Sequence, residues 1–221
     1  MSPTRLTSTP VTPDDLEEVV RLAVAVCRAA PAGAWSRPAG ELEWDCWETV
    51  GHLADDMFCY ALQLAPPAPP LDGHVPTVLS RLRPGGPKET VHAERDAGPD
   101  GLIQVLEGCT GLLAAVARTK SPETRAHHCH GISDPEGFTA MGIVEALVHM
   151  YDVAKGLGAA WEPPLDICGR VMARLFRDVA IGEEGAWQAL LWATGRIELP
   201  GRPRRTSWRW NGTPEGTDDG A

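Results

Sequence analysis

Four stretches of this 221-residue chain repeat apolar residues at helical spacing, and three of them end at a Pro- or Gly-bearing stop. That pattern confines the chain to helix-on-helix packing. The first stretch, 13–30, sets Leu16, Val19, Val20, Ala23, Val24 and Cys27 on one face. Thr12 suits its N-cap, Pro13 its first turn, and Asp14 and Asp15 the positive end of its dipole. Pro31 and Gly33 end it. The second stretch, 46–65, carries Val50, Leu53, Ala54, Met57, Phe58, Ala61 and Leu64, and Pro66-Pro67-Ala68-Pro69-Pro70 stops it. The third, 99–119, carries Leu102, Ile103, Val105, Leu106, Leu112, Leu113 and Val116. The fourth runs from about Pro135 to Gly156 and closes on Gly156-Leu157-Gly158. Shorter helices are expected over 164–179 and 185–194, and a linker with Pro38 and Gly40 over 34–43. Residues 71–97, rich in Gly and Pro, read as a loop with one short strand.

The inventory predicts an all-α protein: a bundle of four long antiparallel helices with crossover connections and a short C-terminal extension. The bundle unit is drawn at 1–185. Residues 186–221 hold a C-terminal helix and an Arg- and Pro-rich tail, whose Trp208 and Trp210 are expected to anchor it back on the bundle. The last ten residues are polar and are expected to be disordered.

Composition narrows the function. Twenty Lys and Arg stand against 30 Asp and Glu, a formal charge of −10. Affinity for phosphate backbones needs basic surface, so nucleic acid is not an expected partner. No run of about 18 apolar residues suggests a membrane span, and the N-terminus lacks a basic-then-apolar leader pattern. The expected location is the cytoplasm. The six scattered cysteines then read as reduced thiols, mostly buried as small apolar groups. The chain has no G-x-S-x-G elbow, P-loop or G-x-G-x-x-G fingerprint.

Three polar residues interrupt the helical apolar faces. Glu145 and His149 are four apart, so on a helix they lie one turn apart on one face. His52 borders the apolar face of the second helix. Two ligands from one turn and one from a facing helix would hold a divalent cation, and three protein ligands leave the open position of a catalytic zinc. A core histidine bonded to a carbonyl, and a Glu paired with an Arg or with solvent, are the plainer alternatives. Asp55, Asp56 and Asp152 lie near, where carboxylates that orient ligating imidazoles are expected; for Asp55 a solvated helix face is an equal reading. His127, His128, Cys129 and His130 form a second soft-ligand group. It reads as a rival zinc site, as acid–base groups at the bundle mouth with His128 or His130 as the catalytic proton donor, or as a plain surface segment. On a strand, His128 and His130 would share a face.

Two motifs carry a family resemblance. Trp47-Glu48-Thr49-Val50-Gly51-His52-Leu53 reads Trp-x-Thr-Val-x-His-Leu, and Glu145, His149, Asp152, Ala154 and Leu157-Gly158 fit a Glu-x-x-x-His-x-x-Asp element followed by Ala and Leu-Gly. In these motifs, their order and their separation, residues 10–180 resemble the DinB-like superfamily, of the mycothiol-dependent maleylpyruvate isomerase type. The sequence departs from that pattern before the Glu, where many relatives carry an Arg and this chain has Met141-Gly142-Ile143-Val144. The tail after 186 does not resemble the isomerase's C-terminal domain. The resemblance implies a four-helix bundle holding a divalent metal, usually zinc, on His52, Glu145 and His149. It implies an enzyme using a low-molecular-weight thiol, mycothiol, on a small electrophilic substrate, as an S-transferase or isomerase. Metal-dependent hydrolysis and non-catalytic small-molecule binding are the alternatives, and the reading accommodates a homodimer.

Overall fold

The computed structural model describes residues 9–214. Its helices are α1 (Pro13–Ala29), α2 (Cys46–Leu64), α3 (Gly98–Thr119), α4 (Pro135–Leu157), α5 (Leu165–Leu175) and α6 (Gly185–Ala193). Local chemistry explains their ends. Thr12 and Asp15 form a reciprocal capping box on α1, and Asp45 and Glu48 form one on α2. Asp134 caps α4 by accepting the Gly137 N–H. Gly158, at φ +71°, ends that helix in the left-handed conformation that glycine adopts without steric cost.

α1 and α2 each pack against both α3 and α4, so the bundle runs α1, α3, α2, α4 around its axis. Side-chain bonds between ends give the directions. Arg118 near the end of α3 pairs with Asp14 and Glu17 at the start of α1, so those two helices are antiparallel. Cys46 Sγ, at the start of α2, meets the Val153 carbonyl near the end of α4, so these two are antiparallel as well. The Val11 N–H, just ahead of α1, donates to Glu136 in the first turn of α4, which makes α1 and α4 parallel. Lys120, after α3, donates to the Ala65 and Pro66 carbonyls after α2, which makes those two parallel. The all-antiparallel arrangement expected from the sequence is therefore corrected to two parallel and two antiparallel neighbours. The cause is the connection 65–97. A 19-residue helix spans about 28 Å at a rise of about 1.5 Å per residue, which so long a connection easily retraces.

No strand forms among the described residues. The one expected within 71–97 reduces to a single bridge between Ser80 and Glu89, because flanking Pro and Gly residues deny it a ladder. Residues 126–133 likewise close on an Ala126–Ser133 bridge, with a turn from His128 to Gly131 at its tip. His128 and His130 thus sit on a turn and not on a strand.

The apolar core is continuous from Leu16 of α1 through Phe138 of α4 to Leu190 of α6 and Trp210. The C-terminal segment returns to the bundle: the Asn211 N–H donates to the Leu175 carbonyl and the Gly212 N–H to that of His130. The disorder expected for the last ten residues falls mainly on 215–221, outside the described residues. α3 is long and apolar enough to cross a membrane by composition, yet Leu102, Ile103, Leu106 and Leu113 are buried in this core.

Candidate metal centre

The antiparallel contact of α2 with α4 assembles the site. His52 faces His149 with ring centroids 5.5 Å apart. One turn along α2, Asp56 Oδ2 lies 3.5 Å from His52 Nε2. One turn back along α4, Glu145 Oε2 lies 3.1 Å from His149 Nε2. One ligand atom each from His52, Asp56 and His149 lies within 4.8 Å of the others. A further turn along α2, the Tyr60 hydroxyl donates to Glu145 Oε1 over a long 3.5 Å. The stripe 52–56–60 thus faces the stripe 149–145.

Burial dominates the electrostatics of these residues. Burial pulls the His52 imidazole down to about 4, with His149 adding to the effect and Glu145 opposing it. Its lone pair is therefore free at neutral pH. Burial pushes Asp56 well above the usual carboxylate range, and the charges of Glu145, Asp55 and Glu89 push it further. Burial would raise Glu145 too, but its hydrogen bond to His149 and the charges of His149 and His52 hold it below its ordinary value. Burial raises the Tyr60 phenol well above its normal value, so it stays a donor. His52 Nδ1, His149 Nδ1 and Asp56 Oδ2 are buried without a hydrogen-bond partner, which is costly in a folded chain.

These residues fit a divalent cation. Imidazole nitrogen and carboxylate oxygen bind zinc at about 2.0–2.2 Å, which sets neighbouring ligand atoms of a tetrahedral ion roughly 3.3 Å apart. The contacts of 3.5 and 3.1 Å bracket that spacing. Of the three residues singled out from the sequence, His52 and His149 converge, while Glu145 lies against His149 but outside the convergent set. Asp56, expected only to orient an imidazole, stands in the convergent set itself.

The neighbouring acids take other parts. Asp152 makes no bond to His149; its Oδ2 accepts from Arg196 at 3.1 and 3.3 Å. Asp55 is not on a solvated face. It is buried and accepts the backbone N–H groups of Thr90 and Val91 at 2.8 and 2.7 Å, clamping the long connection onto α2. Trp44 closes over His52 at 4.8 Å between centroids, and its indole N–H donates to the Gly85 carbonyl. The spacing 52–56–60 was available as a one-turn repeat, whereas nothing in the sequence marks Trp44.

The second histidine group has another character, and its ligand atoms do not converge as those of His52, Asp56 and His149 do. His127 turns to His74, with centroids 4.8 Å apart. His128 is buried, stacks on Trp210 at 5.6 Å and meets the edge of Tyr60 at 5.9 Å. Its Nδ1 accepts the His130 backbone N–H at 3.1 Å, which assigns the proton of the neutral ring to Nε2. Burial, then His130 and His74, bring it down to about 4. His130 is part-exposed, its ring edge-on to Trp210 at 5.5 Å, and burial and Arg209 lower it.

A solved structure shares this arrangement of helices: the mycothiol-dependent maleylpyruvate isomerase, crystallised as a His→Ala variant. The match has a TM-score of 0.55 at 15% identity and covers 88% of this chain and 100% of the other. The shared property is the fold. It is an all-α helical bundle, the fold class expected from the sequence. No family model and no curated protein matches the chain.

Proposed function

We propose that this chain is a divalent-metal-dependent, thiol-using enzyme, and that mycothiol serves it in an S-transfer to, or isomerisation of, a small electrophile. The supporting observation is the convergence of His52, Asp56 and His149, each with an unmet buried polar atom and with Glu145 beside His149, on a fold shared with a mycothiol-dependent isomerase. His52 and His149 would hold the ion with carboxylate from Glu145 and Asp56, and zinc suits that donor set. A bound divalent ion supplies positive charge that keeps a thiol ionised at neutral pH.

The chain's own groups do the rest. His52, held neutral by burial, offers its lone pair without competition from protons. The Tyr60 hydroxyl fixes Glu145 and, remaining protonated, presents a neutral donor beside it. Between the two histidines named as proton donors, the role goes to His130. His128 has its Nδ1 engaged and its charged form disfavoured, which leaves a rigid aromatic support for Trp210. A part-exposed His130 can exchange a proton with solvent and substrate.

The test is metal analysis followed by an electrophile panel assayed with mycothiol, with other thiols and without thiol. One divalent ion per chain, and turnover that requires both ion and thiol, is the expected result. Metal-dependent turnover indifferent to thiol replaces this reading with hydrolysis. A fully loaded protein inert towards every electrophile leaves a binding protein.

A further inference from the structure

On the other flank of α2 the crossover connection builds a second reactive arrangement. Ser80 Oγ lies 2.7 Å from His92 Nε2. His92 Nδ1 lies 3.1 Å from Glu89 Oε2. This is the order of a nucleophile, a base and the acid that orients it, with each imidazole nitrogen turned to the group the chemistry requires. The Nδ1–Oε2 contact is short but not aligned as a hydrogen bond, as relays are before substrate draws them together.

The backbone holds the three residues in place. Ser80 and Glu89 exchange both main-chain hydrogen bonds, at 2.8 and 2.9 Å, which sets them opposite one another. Asp55 on α2 holds the N–H groups of Thr90 and Val91, so the segment carrying Glu89 and His92 is fixed to a helix. Glu89 is buried, His92 is part-buried and Ser80 is exposed. Glu89 and His92 line a cleft of about 230 Å³, walled by the apolar Trp47, Leu82 and Pro87 and by the charged Glu48, Arg83 and Arg95. Ser80 is not part of that lining; its exposed hydroxyl reaches the cleft only through His92, which lines it.

We infer that Ser80, His92 and Glu89 form a serine nucleophile relay that accepts acyl groups from small esters. Ser80 Oγ bonds to the ester carbonyl carbon while His92 Nε2 takes the hydroxyl proton. The carbon–oxygen bond to the alcohol breaks, and His92 returns that proton to the departing oxygen. Water then attacks acyl-Ser80 by the same route and releases the acid, so that ester and water yield acid and alcohol. The relay is separate from the α4-facing metal site and needs no ion.

The test treats the intact protein with diisopropyl fluorophosphate and locates the adduct by peptide mass spectrometry. Ser80 Oγ displaces fluoride at phosphorus, and its proton leaves through His92. The expected result is one adduct per chain on Ser80, formed equally fast with and without a chelator. Ser80→Ala should abolish it, and His92→Gln should slow it at least tenfold with the helical circular dichroism unchanged. Hydrolysis of 4-nitrophenyl acetate should fall in parallel. Absence of an adduct on Ser80, or labelling at the same rate in His92→Gln, overturns the inference and leaves the three residues as a loop staple.

Discussion

At the scale of single residues, the decisive question is which carboxylate a metal needs. Glu145 already has His149 and Tyr60, whereas Asp56 Oδ2 is buried without a hydrogen bond and its carboxyl is driven towards the neutral form. A cation relieves Asp56 most. Asp56→Asn should therefore weaken zinc binding at least tenfold, and His149→Ala should abolish stoichiometric binding, both with helical content retained. Calorimetric titration of the metal-free protein reads both; unchanged affinity in the two variants moves the site elsewhere. A second prediction concerns acid stability. An imidazole depressed from 6.5 to about 4 in the folded chain binds its proton first in the unfolded one. Stability from His128 is therefore complete above about 6.5 and is lost as pH falls towards 4, by up to about 3 kcal/mol. His52 contributes in the same direction. Denaturant melts of His128→Asn should show a flatter loss between these limits, and an unchanged slope sinks the assignment. The pair Glu145–His149 was legible in the sequence because one helix turn is a local property. The position of Asp56 was not, because it depends on the register of α2 against α4.

At the scale of elements, the long helices fell within a residue or two of their expected limits because capping and apolar spacing act over one turn. Chain direction was illegible, since it depends on where the 65–97 connection travels, and that path is fixed by contacts such as Asp55 to Thr90 and Val91. Helical glycines separate these local and tertiary effects. A Cβ on Gly156 of α4 would collide with the Pro38 carbonyl and the Cys46 sulfur, and the backbone there cannot yield. Cβ atoms on Gly108 and Gly111 of α3 would meet nothing within 4 Å. Gly156→Ala should therefore cost roughly 1–3 kcal/mol by overpacking. Gly108→Ala or Gly111→Ala should each add up to about 1 kcal/mol from helix propensity alone. Thermal melts of the three variants check the contrast, and a stabilised Gly156→Ala would refute the close approach of α4 to the linker before α2.

At the scale of the whole molecule, the C-terminal segment closes one end of the bundle. Trp210 belongs to the common core, stacks on His128 and stands edge-on to His130. Arg174 and Ser133 both donate to the Gly212 carbonyl, so Gly212 is pinned beside the start of α4. The alternation of Trp and Arg over 202–210 hinted at anchoring in the sequence, but the partner of Trp210 lies eighty residues away and could only be seen in the fold. If this closure is what dehydrates His128, two quantities must move together when the indole is removed. Trp210→Ala should lower stability by roughly 3–5 kcal/mol, the cost of emptying a buried aromatic site. It should also admit water to the ring of His128 and raise its pKa from about 4 back towards 6.5. Proton NMR titration of the imidazole resonances, beside a denaturant melt, reads both in one variant. A destabilised protein whose His128 still titrates near 4 would mean that Tyr60, Phe138 and the His130 N–H bond hold the ring neutral by themselves. An unchanged melt would mean that the segment rests on the bundle without contributing to its core.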